Sequence, residues 1–114
     1  MKNAIEIRHY LTRSGKDVFD SWISSLRDVR TQAKILSRLD RLAAGNFGDC
    51  KPLSEGLWEV RIDWGPGFRI YYSMQGKDCV VLFAGGEKHR QTADIARALA
   101  FLADYKRRTK SDEV

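Results

Sequence analysis

Apolar residues recur along this chain with two different periods, and the switch between them separates helical from extended parts. Residues 3–11 alternate loosely, with Ile5 and Ile7 on one side, which predicts a strand. Val18, Phe19, Trp22, Ile23 and Leu26 then follow at spacings that gather on one helix face. Ser14 is the expected N-cap of that helix, with Asp17 at its third position. Asp28 is placed to cap a second helix, whose inward face holds Ile35, Leu36, Leu39, Leu42 and Ala43 before Gly45 ends it. Residues 46–55 read as a turn-rich connection.

The period drops to two in residues 57–63 and 68–73, which flank Trp64-Gly65-Pro66-Gly67. A third strand, residues 79–84, follows the turn Gln75-Gly76-Lys77-Asp78. Its unbroken Val80-Val81-Leu82-Phe83 predicts burial on both faces. From about Arg90 a last helix turns Ile95, Ala96, Leu99, Leu102 and Ala103 inward. The order strand, helix, helix, three strands, helix is an α+β layout: an N-terminal strand and helical hairpin packed on an antiparallel sheet, with a C-terminal helix. Residues 1–105 form one domain. Residues 106–114 read as a charged, flexible tail.

The same alternation fixes how the central hairpin pairs. Trp58, Val60 and Ile62 share a side with one another, as do Phe68, Ile70 and Tyr72. If both sets face one core, even numbers must lie opposite even numbers, so the turn holds an odd number of residues. A three-residue loop centred on Gly65 then sets Arg61 across from Arg69, with Glu59 and Tyr71 on the same face. Opposed like charges on a sheet cost up to about 1 kcal/mol. Glu59 can offset part of that. The pair is either a solvated charge ladder or a cationic surface for a phosphate, which arginine grips with two hydrogen bonds.

Charge widens the second possibility. The 114 residues carry 20 Lys and Arg against 15 Asp and Glu, a net +5 that favours a polyanionic partner. Arg30, Lys34, Arg38 and Arg41 form a basic stripe on the second helix, either a solvated face or a phosphate-tracking edge. Cys50 and Cys79 have no metal spacing and read as reduced thiols. No signal-peptide core and no membrane-length apolar run is present, so the cytoplasm is the expected location and no membrane is a partner.

Gly85-Gly86-Glu87-Lys88-His89-Arg90-Gln91 is expected to leave the central strand and enter the last helix, its glycines allowing close approach of a ligand. It lacks the Walker spacing. The chain has no supported Ser/His/Asp set and no Cys/His cluster, so neither metal nor cofactor is expected. Of the two histidines, His9 reads as a surface or packing residue, and His89 is better placed to trade a proton.

Three motifs carry a family resemblance: Gly56-Leu57-Trp58-Glu59-Val60-Arg61, then Gly67-Phe68-Arg69-Ile70-Tyr71-Tyr72, then the segment from Phe83 through Gly85-Gly86-Glu87-Lys88 and Gln91 to Asp94-Ile95. Over roughly residues 6–102 the chain resembles the RelE/ParE toxin superfamily, in its phage-derived branch of HigB-like addiction-module killer proteins. The resemblance implies a RelE-like fold and a type II toxin that stops translation by metal-independent, ribosome-dependent cleavage of messenger RNA. It implies neutralisation by a helix-turn-helix, XRE-like antitoxin, whose complex with the toxin binds operator DNA.

The resemblance carries over Arg69, Arg61 and Lys88 by position, and residues read from the pattern itself complete the candidate site. Arg61, Arg69, Lys88, Glu59 and His89 are the catalytic candidates. Tyr71, Arg90, Arg38 and Arg41 are the RNA-binding ones, and Gly85, Gly86, Gln91 and Asp94 order the loop, the last two by capping the final helix. Glu59 stands where RelE itself has lysine, and the final-helix tyrosine of RelE has no counterpart here. The general acid and base therefore stay open among Glu59, His89, Lys88 and Tyr71. Two other readings also stay open: a ParE-like gyrase poison without nuclease activity, and a non-catalytic nucleic-acid or antitoxin-binding module.

Overall fold

The structure, a computed structural model, describes residues 4–112. The element order is β1 (Glu6–His9), α1 (Val18–Ser25), α2 (Val29–Ala43), β2 (Cys50–Pro52), β3 (Trp58–Ile62), β4 (Phe68–Met74), β5 (Cys79–Glu87), a 3₁₀ turn (Lys88–Arg90) and α3 (Gln91–Asp112). The expected first strand began at Asn3, which lies outside the described residues. Asp28 caps α2 as expected, accepting from the Arg30 N–H. Asp17, not Ser14, caps α1. Residues 12–16 close a turn of their own, in which the Thr12 hydroxyl accepts from Lys16 N–H and meets Ser14 Oγ, so Ser14 is spent before the helix begins.

The five strands form one sheet in the order β1-β5-β4-β3-β2. The α+β class stands, compatible with a RelE-like fold, but the sheet is mixed rather than antiparallel throughout. Strand β1 runs parallel to β5, with Glu6 opposite Cys79 and His9 opposite Leu82. The added strand β2 came out of the stretch read as connection, and it pairs with β3. Its Lys51 and Pro52 suit a short edge strand, where a charge and a missing N–H discourage further pairing.

Both faces of the sheet are covered. Phe19 and Ile23 of α1, with Ile35, Leu39 and Leu42 of α2, pack on the even-numbered side chains of β3 and β4. Ala98 and Leu102 of α3 pack on the other face with Leu57, Tyr71, Val81 and Phe83. Central β5 is buried from Cys79 to Gly86, as its unbroken apolar run predicted. Leu36, Ala96 and Ala103, read as inward, are exposed.

A bulge decides what lies at the end of β5. Tyr71 pairs with Ala84 but Tyr72 pairs with Leu82, so Phe83 is an extra residue. Phe83 and Ala84 both enter the α3-side core, and alternation restarts one step late. Gly85 then faces Trp22 of α1, and Gly86 faces Asp94 of α3. Both glycines are strand residues, not the loop expected for them. They are glycines for lack of space, because a Cβ on either would run into the Trp22 ring or the Asp94 carboxylate.

The segment from residue 106 is helical and continues α3 to Asp112. Lys106 Nζ donates to the Glu55 carbonyl at 2.8 Å, and Arg108 donates to the Leu11 carbonyl and pairs with Asp104. Among the described residues no helix is long and apolar enough to cross a membrane.

Candidate functional site

The β3–β4 hairpin has the expected register, with Arg61 opposite Arg69 and Ile62 opposite Phe68. Residues 63–67 make the loop, an odd number centred on Gly65 but longer than the three expected. Gly67 stands at φ +89°, a conformation that favours glycine, and its carbonyl accepts from the Lys88 N–H at 2.9 Å. A Cβ on Gly67 would lie 3.3 Å from Lys88 Cβ, so the small residue lets the 3₁₀ turn close on the hairpin loop. Sequence patterning missed this role of Gly67, for which only a glycine after Gly-Pro was a clue. Arg61, Arg69 and Lys88 thereby line one groove of about 380 Å³, together with Asp49 and Asp63.

Beneath the groove lies Glu59, 1% exposed. Its Oε1 is 3.7 Å from Arg61 Nε and 3.9 Å from Arg69 Nε, and its Oε2 accepts from Gln91 Nε2 at 2.6 Å. One carboxylate therefore serves both guanidinium groups, and Gln91 orients it instead of capping the helix. The arginines differ in setting. Arg69 is 8% exposed and donates to the Phe68 carbonyl at 3.0 Å. Arg61 is half-exposed and also stands 3.8 Å from Asp49. Neither Nε has a hydrogen-bond partner. The two guanidinium groups and Lys88 can meet an anion there, with Glu59 beneath and Asp49 and Asp63 in the lining as counter-charges, and partial desolvation makes charge interactions stronger than in bulk water.

Tyr71, expected on the RNA-facing surface, is instead fully buried under α3. Burial, and then the neighbouring Glu59 and Asp94 carboxylates, push its phenol far above the ordinary range against the pull of Arg69. It is a core residue with an unpartnered hydroxyl, not an exposed stacking surface.

His89 is exposed on the 3₁₀ turn, 4.0 Å from Glu87, and is not among the groove's lining residues. Arg90, expected among the RNA-binding residues, lines a separate cleft of about 250 Å³ with Trp22, Glu87 and Arg97. Asp94 is 2% exposed, sits against Gly86 and lies 3.6 Å from Arg97, so it packs α3 onto β5. Arg38 and Arg41 line a second groove, with Lys34 and Trp64, that shares Arg61 with the first. At the other end of α3, Asp104 gathers Tyr10, Arg13, Arg107 and Arg108. Among the described residues no group of three or more His, Cys, Asp or Glu side chains could hold a metal ion.

Fold and site together define a small α+β domain whose mixed sheet carries a guanidinium-lined groove at a hairpin mouth. The sequence profile described as phage derived protein Gp49-like matches residues 21–104, which include the whole groove, and the chain belongs to that family. It is 48% identical over 80 residues to an uncharacterized protein of Haemophilus influenzae, a match covering 70% of this chain and 81% of the relative.

Proposed function

We propose that this protein is the toxin of a type II toxin–antitoxin pair and acts as an endoribonuclease on messenger RNA in the ribosome. The observation that carries the reading is Arg61 registered opposite Arg69 over a shared buried carboxylate, with Lys88 closing the same groove. Membership in a phage-derived family fits an addiction module of this kind. The partners under this reading are mRNA, the ribosome and a helix-turn-helix antitoxin.

In this mechanism the RNA 2′-oxygen attacks the adjacent phosphorus, the bond to the 5′-oxygen breaks, and a 2′,3′-cyclic phosphate remains. The attacking hydroxyl loses a proton and the departing oxygen gains one. Arg69 and Arg61 stabilise the extra negative charge of the crowded phosphate, a role for donors fixed before the reaction begins. Glu59, engaged on both oxygens, acts as their counter-ion rather than as the base. Lys88 is the lysine that lines the groove and is the first candidate for proton transfer.

Primer extension on mRNA in a translating extract tests the reading, with cuts expected only when ribosomes are present and persisting in excess chelator. Arg69→Ala is expected to slow cutting on the order of 100–1,000-fold while antitoxin binding survives. DNA damage without RNA cuts, or full toxicity of Arg69→Ala, would overturn it.

A further inference from the structure

We propose that the groove between α2 and the β3–β4 hairpin is a second phosphate subsite, taking a backbone phosphate of single-stranded RNA next to the one held at Arg61 and Arg69. The inference rests on the nuclease reading for its choice of RNA as ligand, and on the groove itself for the rest. Four cations, Lys34, Arg38, Arg41 and Arg61, line a space of about 470 Å³ against two carboxylates, Asp49 and Asp63. Arg61 and both carboxylates also line the first groove, so the two spaces form one track.

Arg38 is seated rather than loose. Its Nη2 donates to the Phe47 carbonyl at 3.0 Å. Its guanidinium lies over Gly48, which stands at φ +63° and where a Cβ would collide with that guanidinium. The turn after α2 is thus shaped to admit an arginine, which a merely solvated stripe does not require. The opposite wall is fixed as well. Trp64 donates its indole N–H to Thr31 Oγ1 at 3.1 Å, and Lys34 Nζ stands 4.8 Å from its ring centroid. Arg41, about one turn beyond Arg38, is exposed at the rim.

The same details favour a phosphodiester over an acidic protein segment. The apolar lining is Ile62, which is buried, and Trp64, whose ring carries Lys34, so an apolar anchor has no recess to fill. A strand of phosphates needs only the row of cations. Arg61, half-exposed between the two spaces, can contact either of two successive phosphates.

The test is fluorescence anisotropy with the full chain and a labelled 2′-O-methyl oligoribonucleotide, which lacks the attacking hydroxyl and cannot be cut. Arg38→Ala and Arg41→Ala are each expected to weaken binding about tenfold. Each should make the log affinity–log salt slope shallower by about 0.7, the value for one lost single-strand phosphate contact. In cleavage assays both variants should raise KM with kcat held, whereas Arg69→Ala lowers kcat. Arg41→Ala removes an exposed side chain and keeps the test meaningful if Arg38→Ala disturbs the Phe47 turn. RNA binding that depends on both arginines without any cleavage would support the subsite and sink the nuclease reading. A folded double variant with wild-type affinity and slope overturns the subsite, whether or not the protein cuts RNA. Displacement of the RNA by polyglutamate at lower concentration than by unlabelled RNA also overturns it.

Discussion

Removing the Glu59 carboxylate would leave Arg61 and Arg69 facing each other across β3 and β4 with no charge between them. Breaking a buried ion pair on one side typically costs about 3–5 kcal/mol, because the remaining charge stays desolvated. Glu59→Ala is therefore expected to destabilise the fold by about 3 kcal/mol, measured by urea denaturation, and the added substitution Arg69→Met should recover part of the loss. No recovery would mean that Glu59 matters through Gln91 rather than through the arginines. The alternation of residues 57–63 and 68–73 was enough to place both arginines and Glu59 on one face, opposite each other as observed. It could not tell that α3 covers part of that face. Periodicity alone therefore puts Tyr71 on the exposed face, since it assigns sides but not what packs against them.

At the scale of elements, the end of β5 shows how a bulge redirects side chains. Without the extra Phe83, Gly86 would exchange faces with Gly85, and the contacts to Trp22 and Asp94 would not form. Gly85→Ala is expected to force the Trp22 ring aside and cost about 1–3 kcal/mol, the usual range for overpacking a tight interior. Chemical denaturation with Trp fluorescence checks both the loss and the movement. Unchanged stability and emission would show that the ring has room. A Gly-Gly pair in sequence signals small size, and conformational freedom was the natural first reading of it. Neither glycine has a positive φ here, so steric fit is the operative reason.

Across the whole molecule, α3 ties its far end to the exit of β1. Asp104 accepts from the Tyr10 hydroxyl at 2.6 Å and lies among Arg13, Arg107 and Arg108. The Tyr10 hydrogen bond first, then Arg13 and Arg108, hold the Asp104 carboxyl below its ordinary value of 3.8 against the effect of burial. A folded-state pKa below the unfolded one stabilises the fold fully above that ordinary value, and the contribution fades as pH falls toward the folded pKa. Stability measured from pH 6 down to pH 2.5 should therefore fall below about pH 4, and Asp104→Asn should flatten that part of the curve. An identical pH profile in the variant would remove Asp104 from the account. Charge alone makes the basic run beyond Asp104 a solvated tail. Its docking depends on Glu55 and Leu11 carbonyls that are distant in sequence.

The sequence by itself determined the α+β class, the main buried positions of the helices, the doubly buried β5 and the hairpin register, because these follow from local periodicity and from turn parity. Tertiary structure alone decided that β1 runs parallel to β5, that α3 covers Tyr71, and that Arg90 and His89 stand apart from the groove that Lys88 shares with the arginines. Each of these turns on contacts between distant segments, which local alternation does not encode, and on a single extra residue that shifts every side chain after it.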